Sequence, residues 1–384
     1  MAHPKRLIAI SFNLHRLQLI KFSFNMPRSY PALSTNRRPR LCFVGPMVGR
    51  NPGNITLQSE ILSDLFSDAG YSVISVSSLL NRYLRLTDIA STLIRRHKGF
   101  DIIVLDVFSG PSFVVADIAS GIGRRFGKKI IMFLRGGALP EFMARYPRWT
   151  RRVFSRAHEI IAPSQFLARA LAPHGFQARV VPNVIDLSIY PYRHRQELSP
   201  SLFWMRSFHP VWNPAMAVRV LARLRAKIPN ATLVMAGKDK GIEQEVRRLA
   251  RDLDVSDGVR FVGFLDRAGK KNVGNAAEIY LNTNRVDNMP VSVLEACAMG
   301  LPVVATAVGG IPHMLRHGET AMLVPDEDDE AMVQAIQSLL SNPDLAGRLS
   351  ANGRRLAELS SWEQVLPQWE KVFADVMAPG VFQR

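Results

Sequence analysis

The chain has little cysteine and no long apolar run. Cys42 and Cys297 are its two cysteines among 384 residues, and both lie in apolar segments. We therefore expect buried thiols in a reducing compartment, not a disulfide or a metal pair. No apolar stretch reaches about 18 residues, so no transmembrane helix is expected. These features predict a cytoplasmic globular protein that is long enough for two domains.

Acidic residues are scarce in the first half of the chain. Residues 1–40 carry eight Lys or Arg and no Asp or Glu. Residues 41–198 carry 20 basic and 11 acidic residues, and residues 199–384 carry 21 basic and 21 acidic residues. The net charge of +17 therefore comes from the first half, which indicates an anionic partner there, a membrane surface or a nucleic acid. No nucleic-acid-binding motif accompanies the charge. We favour peripheral contact with an anionic inner membrane face and expect no nucleic acid.

Residues 1–39 form a basic N-terminal extension. Its segment LIAISFNL is short and is not followed by a small-residue cleavage site, which disfavours a signal peptide. An interfacial segment is one alternative. We prefer a disordered extension, or one that lies upstream of a true start at Met26.

From residue 40 onward, short apolar runs alternate with amphipathic helical patterns. Strand candidates in the first half are RLCFVG, YSVISV, DIIVLDV, KIIMFL, EIIAP and ARVVPN, and those in the second half are SLFWM, TLVMAG, GVRFVG, EIYLNT, PVVAT and AMLVP. Nearly continuous apolar runs are typical of parallel strands covered on both faces. The predicted fold class is α/β, with two doubly wound Rossmann-like domains that face each other across a cleft.

Changes in composition set the predicted boundaries. We place the first domain at residues 40–186, a polar linker at 187–198 and the second domain at 199–355. Residues 356–384 read as a helix that crosses back toward the first domain.

The run DNMPVSVLEACAMGLPVVATAVGGIP combines two acids with a helix start. We predict that Asn288 caps a helix of about ten residues and that Pro290 occupies its first turn. Such a helix tip attracts an anion, with Asp287 beside it and Glu295 deeper along the helix. A phosphate between a sugar and a ribose fits this arrangement, which indicates a nucleotide sugar. The alternative is that the two acids are merely a cap residue and an exposed helix residue.

Two further segments bring glycines to a strand–helix junction. GPMVGRNPGNIT contains Gly45, Gly49 and Gly53, at a spacing that disfavours dinucleotide binding and NTP hydrolysis. In VGGIP, Gly309 and Gly310 either supply further backbone donors or form a tight turn.

The acid-rich run resembles the nucleotide-sugar signature of glycosyltransferase family 4, in which an acid, seven residues and Glu precede GLPVVAT…GG. Further similar segments are APSQFLARAL, VVPNVID, LFWMRSFHP and LVMAGKDKG, so that the resemblance covers residues 40–376. It implies a GT-B fold and a retaining, metal-independent transfer of a sugar from a nucleotide donor, without a cofactor. The implied acceptor is a hydroxyl of a glycan or lipid-linked molecule in surface polysaccharide, lipopolysaccharide or other glycoconjugate synthesis.

The resemblance also implies residue roles. Glu295 would accept the ribose hydroxyls, and Asp287, where many members have Glu, would contact the donor sugar. Arg206 would neutralise the diphosphate as the leaving group forms. The other expected donor-site residues are Asn288, Met289, Pro290, Val291, Ser292, Gly237 and Lys238. The loop with Gly45, Gly49 and Gly53 would approach donor and acceptor.

Two positions depart from the family pattern. Many members have a Lys shortly after the Arg, whereas SFHPVWNP has none. Lys238, Lys240 or Lys270 either supplies this charge or is a solvated loop residue. Many members also have His before a glycine pair in the first domain.

At the position of that His, this chain has Arg135, before Gly136 and Gly137. A guanidinium cannot act as a neutral imidazole. It could still bind a phosphate or a sugar hydroxyl, with Glu141 as its partner.

The remaining charged segments are assigned to helices. DLD at 252–254 and DEDD at 326–329 are interpreted as helix ends, so no metal site is expected. In MARYPRWTRRVFSRAHEI, cations recur at helical spacing with aromatic residues between them, which predicts a helix that lies on an anionic bilayer. These residues are Arg145, Arg148, Arg152 and Arg156, with Trp149 and Phe154.

Two other functions fit parts of the sequence. Arg135 motivates a catalytically reduced protein that keeps the nucleotide-sugar pocket, and the two-domain fold would also suit a sugar-nucleotide epimerase. The donor base, the sugar, the acceptor and the linkage stay open at this point.

Overall fold

Two parallel six-stranded sheets organise the chain. The structure is a computed structural model that describes residues 38–378; the predictions for residues 1–37 lie outside this range. All twelve predicted strand segments contain a strand. The α/β class with two Rossmann-like domains is therefore confirmed.

The first sheet has the strand order β2-β1-β3-β4-β5-β6. Its strands are β1 Leu41–Val44, β2 Val73–Val76, β3 Ile102–Val107, β4 Lys129–Leu134, β5 Glu159–Ala162 and β6 Arg179–Val180. The helices around it are α1 Gln58–Asp68, α2 Arg82–Arg95, α3 Phe113–Arg125, α4 Leu139–Arg145, α5 Pro147–Phe154 and α6 Gln165–Leu171.

The second sheet has the order β12-β11-β10-β7-β8-β9. Its strands are β7 Ser201–Met205, β8 Thr232–Ala236, β9 Val259–Gly263, β10 Ile279–Asn282, β11 Val303–Thr306 and β12 Met322–Val324. The helices are α7 Pro214–Arg225, α8 Glu243–Asp252, α9 Arg267–Ala276, α10 Val291–Ala298, α11 Ile311–Met314, α12 Asp329–Ser341, α13 Pro343–Glu358 and α14 Trp362–Met377.

Helix α14 covers one face of the first sheet, although it follows the second domain in the chain. Its Trp369 is fully buried, with its ring centroid 5.3 Å from that of Phe133 in β4 and 6.4 Å from that of Phe66 in α1. Glu370 accepts a hydrogen bond from the Tyr71 hydroxyl at 3.0 Å. The C-terminal segment thus completes the core of the first domain.

Both cysteines are free thiols in the core, as predicted. Cys42 lies in β1 and Cys297 in α10, and each is 0% exposed. Burial disfavours the thiolate and raises the pKa of each thiol to about 12.

The basic segment around residue 150 forms two short helices and not the single helix that its spacing predicted. It is divided between α4 and α5, and Phe154 is buried in the core of the first domain. Trp149 packs on that core and donates from Nε1 to Asp117 at 2.7 Å. Arg152 and Arg156 also pair with Asp117. Arg152 and Arg156 therefore serve ion pairing, whereas Arg145 and Arg148 are exposed.

The acidic segment at 326–329 forms a helix start, as interpreted. Asp328 accepts a hydrogen bond from the Ala331 N–H at 2.8 Å, and Asp329 pairs with Arg219 at 2.6 Å. Across residues 38–378, no three His, Cys, Asp or Glu side chains are grouped so that they could hold a metal ion. In the same range, no helix has the length and apolar character needed to span a membrane.

The segment between the domains is fixed to the second domain by a buried arginine. Arg195 is 1% exposed, and its guanidinium donates hydrogen bonds to the carbonyl groups of Gly274, Ala277 and Met299. Burial lowers the pKa of Arg195 to about 10, yet the carbonyl oxygens satisfy its donors. Arg195 therefore anchors the predicted linker to the second domain, although its neighbours His194 and Gln196 are exposed.

Replacing Arg195 with Ala should destabilise the protein by about 3 kcal/mol, because the three carbonyl groups lose their buried donor. Urea unfolding measures this. Arg193→Ala is the matched control in the same segment. Since its side chain is 43% exposed, we expect a loss under about 1 kcal/mol. Equal effects of the two substitutions would contradict the role assigned to Arg195.

Candidate active site

Loops at the carboxyl ends of the two sheets touch each other. Ser164, after β5, donates from Oγ to Oδ1 of Asn288, after β10. Asn183, after β6, donates from Nδ2 to the Met289 carbonyl at 3.1 Å. The interdomain crevice thus lies against the β10–α10 loop, residues 283–290, where ligands of open α/β sheets bind.

Asp287 is held at the centre of this loop. Its carboxylate accepts hydrogen bonds from the Asn288 N–H at 2.7 Å, from Asn284 Nδ2 at 2.6 Å and from the Arg206 guanidinium. Its backbone carbonyl accepts from the Gly310 N–H at 2.9 Å. Three donors fix the carboxylate, so Asp287 is an oriented acceptor and not a loose cap.

The glycine pair after β11 supports the same loop. A Cβ on Gly309 would lie 2.2 Å from the Asp287 carbonyl oxygen, and a Cβ on Gly310 would lie 2.0 Å from that of Asn288. Glycine is therefore required at both positions, because the two backbone segments approach too closely to leave room for a Cβ atom. Because the Gly310 N–H already binds Asp287, the prediction of free donors at this residue is wrong.

Arg206 reaches the loop from the end of β7. Its Cζ lies 3.9 Å from the centroid of the Trp212 ring, a cation–π contact, and one Nη pairs with Asp287. Its Nε is buried without a hydrogen-bond partner among the described residues, which is rare in native structures. Gly237 permits this placement, because a Cβ there would lie 1.7 Å from the Arg206 carbonyl oxygen.

Helix α10 begins at Val291, with Pro290 as its N-cap residue. The prediction that Asn288 caps the helix is wrong, because its side chain is engaged by Ser164 across the crevice. Ser292 follows in the first turn and is 7% exposed. The N–H groups of Val291 and Ser292 have no acceptor within the helix, whereas the Val293 N–H donates to the Pro290 carbonyl at 3.1 Å.

Glu295 lies one turn along α10 and is 6% exposed. Its Oε1 accepts hydrogen bonds from the Tyr190 hydroxyl at 2.7 Å and from Lys270 Nζ at 2.8 Å. Burial, with the adjacent Glu295 carboxylate, raises the pKa of Tyr190, which keeps its hydroxyl a donor. The alternative that Glu295 is an exposed helix residue is wrong.

Arg135 is enclosed in the first domain. Its side chain is 7% exposed, and its Nε lies 2.5 Å from Oδ1 of Asp106, which is 1% exposed. Its terminal nitrogens donate to Ser59 Oγ at 2.9 Å and to Asn183 Oδ1 at 3.3 Å. Burial lowers the pKa of Arg135, and Asp106 opposes that shift. The partner predicted for this residue, Glu141, is exposed, and Asp106 takes its place.

Comparisons with known proteins agree with this geometry. The family model described as Glycosyltransferase Family 4 matches residues 59–189, and the model described as Glycosyl transferases group 1 matches residues 195–356. The chain belongs to glycosyltransferase family 4.

Curated relatives of this family-4 chain align over parts of their length. A phosphatidyl-myo-inositol mannosyltransferase of Mycobacterium leprae is 32% identical over 37% of this chain and 37% of its own. A D-inositol 3-phosphate glycosyltransferase of Jonesia denitrificans is 27% identical over 54% of this chain and 51% of its own. The chain thus spans about half or less of the curated relatives that it matches.

Solved structures share the GT-B fold. Anabaena Alr3699/HepE in complex with UDP and glucose gives a TM-score of 0.69 at 16% identity, over 88% of this chain and 100% of that one. The sucrose-phosphate synthase of Thermosynechococcus elongatus gives a TM-score of 0.73 at 19% identity. The match covers 88% of this chain and 98% of that one.

The lysines that could replace the missing family cation lie in different places. In this family-4 chain, Lys270 contacts Glu295. Lys238 crosses the crevice, and its Nζ donates to Asn54 Oδ1 at 3.0 Å and to the Gly53 carbonyl at 3.4 Å. Lys240 is exposed. Lys270 and Lys238 are therefore both at the crevice.

The glycines of the first domain have separate roles. A Cβ on Gly45 would lie 2.4 Å from Asp106 Oδ2, and one on Gly49 would lie 2.5 Å from the Thr56 Cα. These two glycines permit packing inside the domain, whereas Gly53 contacts Lys238 of the other domain.

The glycine pair after Arg135 lies at the crevice. A Cβ on Gly137 would approach Val286 Cγ1 to 3.2 Å and the Asp287 carbonyl carbon to 3.3 Å, and one on Gly136 would lie 3.4 Å from Ser109 Oγ. Gly137 thus brings the first domain against the β10–α10 loop.

Sequence reasoning missed several residues that build this site: Ser59, Asp106, Ser164, Asn183 and Tyr190. Asp106 could have been found, because it is the single charge inside the buried run IIVLDV. Asn183 stood inside the quoted segment VVPNVID. Ser164 likewise stood inside the quoted segment APSQFLARAL. Nothing local marked Ser59 and Tyr190, because their partners are distant in sequence.

Asp106→Ala should destabilise the protein by about 3 kcal/mol or more, because it leaves the buried Arg135 guanidinium without its counter-charge. Chemical unfolding measures the effect. Glu141→Ala is the control, with an expected change within about 0.5 kcal/mol. A large loss of stability in Glu141→Ala would instead support the pairing of Arg135 with Glu141 that the sequence suggested.

Proposed function

We propose that this protein transfers a sugar from a nucleoside-diphosphate sugar to a hydroxyl group of a glycan or lipid-linked acceptor. The observation that carries the proposal is the partnerless Nε of Arg206 beside Asp287 and the tip of α10. A buried donor without an acceptor, at a helix N-terminus, suits a phosphate oxygen.

The charges of the site suit a departing nucleoside diphosphate. Negative charge grows on the phosphate as the glycosidic bond breaks, and Arg206 with the first-turn N–H groups of α10 would stabilise it. These fixed groups favour the transition state over the ground state. They also let us propose transfer without a metal ion.

Glu295 would bind the ribose. Among the described residues, both hydrogen bonds to its carboxylate use Oε1, from Tyr190 and Lys270. Oε2 is then available to the ribose hydroxyls. An ionised carboxylate is an acceptor only, which suits a diol.

Asp287 would orient the donor sugar. Its carboxylate is engaged by three donors, which makes it a poor nucleophile. We therefore propose a retaining transfer on one face of the sugar. The acceptor oxygen forms the new bond to the anomeric carbon, the bond to the phosphate oxygen breaks, and the acceptor proton passes to that departing oxygen.

The relatives' names support an acceptor of the proposed kind. One is named for a phosphatidyl-myo-inositol acceptor and another for inositol 3-phosphate. A hydroxyl of a lipid-linked or soluble polyol is therefore a reasonable target, and we propose a role in surface polysaccharide, lipopolysaccharide or other glycoconjugate synthesis.

A second candidate is a nucleotide-sugar-binding protein without turnover. The observation that favours it is Arg135, which is enclosed by Asp106, Ser59 and Asn183 where many members have His. Such a protein would bind the donor but release no nucleoside diphosphate, with or without an acceptor.

A panel of UDP-, GDP- and ADP-sugars should contain at least one member that raises the melting temperature of the protein. Glu295→Ala should weaken that binding roughly 10- to 100-fold, because a buried charged acceptor is lost. Glu245→Ala, an exposed helix glutamate, is the control and should bind as the parent does. Unchanged binding in Glu295→Ala would overturn the ribose assignment.

Arg206→Ala should lower kcat by roughly 100- to 1,000-fold, because charge on the leaving group is no longer stabilised. We measure kcat as the rate at which nucleoside diphosphate is released from the donor found above, in the presence of a panel of polyol and lipid acceptors. Arg248→Ala, on the exposed face of α8, should keep full activity. Donor binding without release in the parent protein would support the second candidate, and loss of activity in EDTA would contradict the metal-free reaction.

A further inference from the structure

An apolar patch projects from the first domain at the start of α2. Leu79, Leu80, Tyr83 and Leu84 fall within six positions, and their exposed fractions are 42%, 59%, 65% and 58%. Single exposed apolar residues are common on protein surfaces, but a contiguous group usually marks an interaction site.

The fold holds this apolar patch in place. Asn81 caps α2 by accepting hydrogen bonds from the N–H groups of Tyr83 at 2.9 Å and Leu84 at 3.2 Å. Arg85 donates to the carbonyl groups of Leu79 at 2.9 Å and Leu80 at 3.3 Å. The buried residues of α2 are Ile89 and Leu93, further along the helix. The first turn is therefore a defined projection and not a frayed end.

Cations outnumber acids within the apolar patch and along α2. Residues 77–99 contain five Lys or Arg and one acid, Asp88. Arg82, within the patch, and Arg95, at the other end of α2, are both exposed. Apolar side chains interleaved with cations match the boundary between the headgroups and the acyl chains of an anionic bilayer. A tyrosine with an exposed ring also suits that boundary.

The apolar patch adjoins the glycine loop of the crevice. Asn51 Nδ2 donates to the Ser78 carbonyl at 2.8 Å, and the same loop contacts Lys238 of the second domain through Gly53 and Asn54. A bilayer bound at the patch would lie beside the crevice mouth.

We propose that the apolar patch inserts into an anionic lipid bilayer and holds the crevice at its surface. Together with the proposed transfer, this places lipid-linked hydroxyls within reach of the site, and to that extent it rests on the proposed function. The insertion itself requires no sugar transfer.

The test uses the full chain and vesicles of phosphatidylglycerol and phosphatidylcholine in equal parts. Combined replacement of Leu80, Tyr83 and Leu84 by Ser should lower vesicle partitioning at least about tenfold, because three membrane-inserting side chains are lost. Leu359→Ser, at a 62% exposed position of the second domain, should partition as the parent does. Nucleotide-induced stabilisation should persist in both variants, whereas Glu295→Ala should lose most of it and still bind vesicles.

A labelling experiment checks the depth of insertion without removing the apolar side chains as a group. The native thiols are buried, so a polarity-sensitive dye on Leu80→Cys would label one site. Its emission should shift to the blue with the anionic vesicles, and the same dye on Leu359→Cys should not respond.

Three results would overturn the proposal: partitioning of the triple variant equal to that of the parent, equal dye responses at the two positions, or equal binding to pure phosphatidylcholine vesicles. A concentration-dependent dimer that the triple variant abolishes, without vesicle binding by the parent, would assign the apolar patch to a second copy of the chain instead.

Discussion

The ion pair between Arg206 and Asp287 joins the end of β7 to the loop before α10, and the candidate site is arranged around it. Gly237 lets the chain pass behind Arg206, and Gly310 supports the backbone of Asp287. Within residues 38–378, the Arg206 Nε has no hydrogen-bond partner. The ion pair with Asp287 therefore fixes both the position of the Arg206 guanidinium and the direction of its Nε–H group.

Burial of positive charge is a second constraint on this basic protein. Arg135 and Arg195 are both enclosed, and an enclosed guanidinium is tolerated only when its donors are satisfied. Arg135 has the Asp106 carboxylate, and Arg195 has four backbone carbonyl groups together with the Glu278 carboxylate at 3.4 Å. The first arrangement rigidifies the crevice wall, and the second attaches the interdomain segment to one domain.

The strands could be predicted because each is a nearly continuous apolar run, as shown by IIVLDV and KIIMFL. The grouping of Arg206 with Asp287 was implied by the family resemblance, and the structure places the two residues after the neighbouring strands β7 and β10. The helix cap at Asn288 was predicted wrongly, because an interdomain bond from Ser164 competed with the local one. The partner of Arg135 lies 29 positions away in the chain, and a sequence read locally favoured the nearer Glu141. Contacts between residues that are far apart in the chain leave no periodic pattern in the sequence around either residue.

The chain passes between the two domains twice, at Ile185 and at Ser360–Ser361, and the two passages are bonded together. The Ile185 N–H donates to the Ser360 carbonyl at 2.9 Å, and Ile185 forms a parallel bridge with Ser361. The covalent connections between the domains therefore meet in one short seam, whereas the contacts across the crevice are hydrogen bonds and packing. Domains that separate at the crevice rotate about this seam. Widening of the crevice is therefore a hinge rotation, in which the atoms farthest from this seam are displaced most.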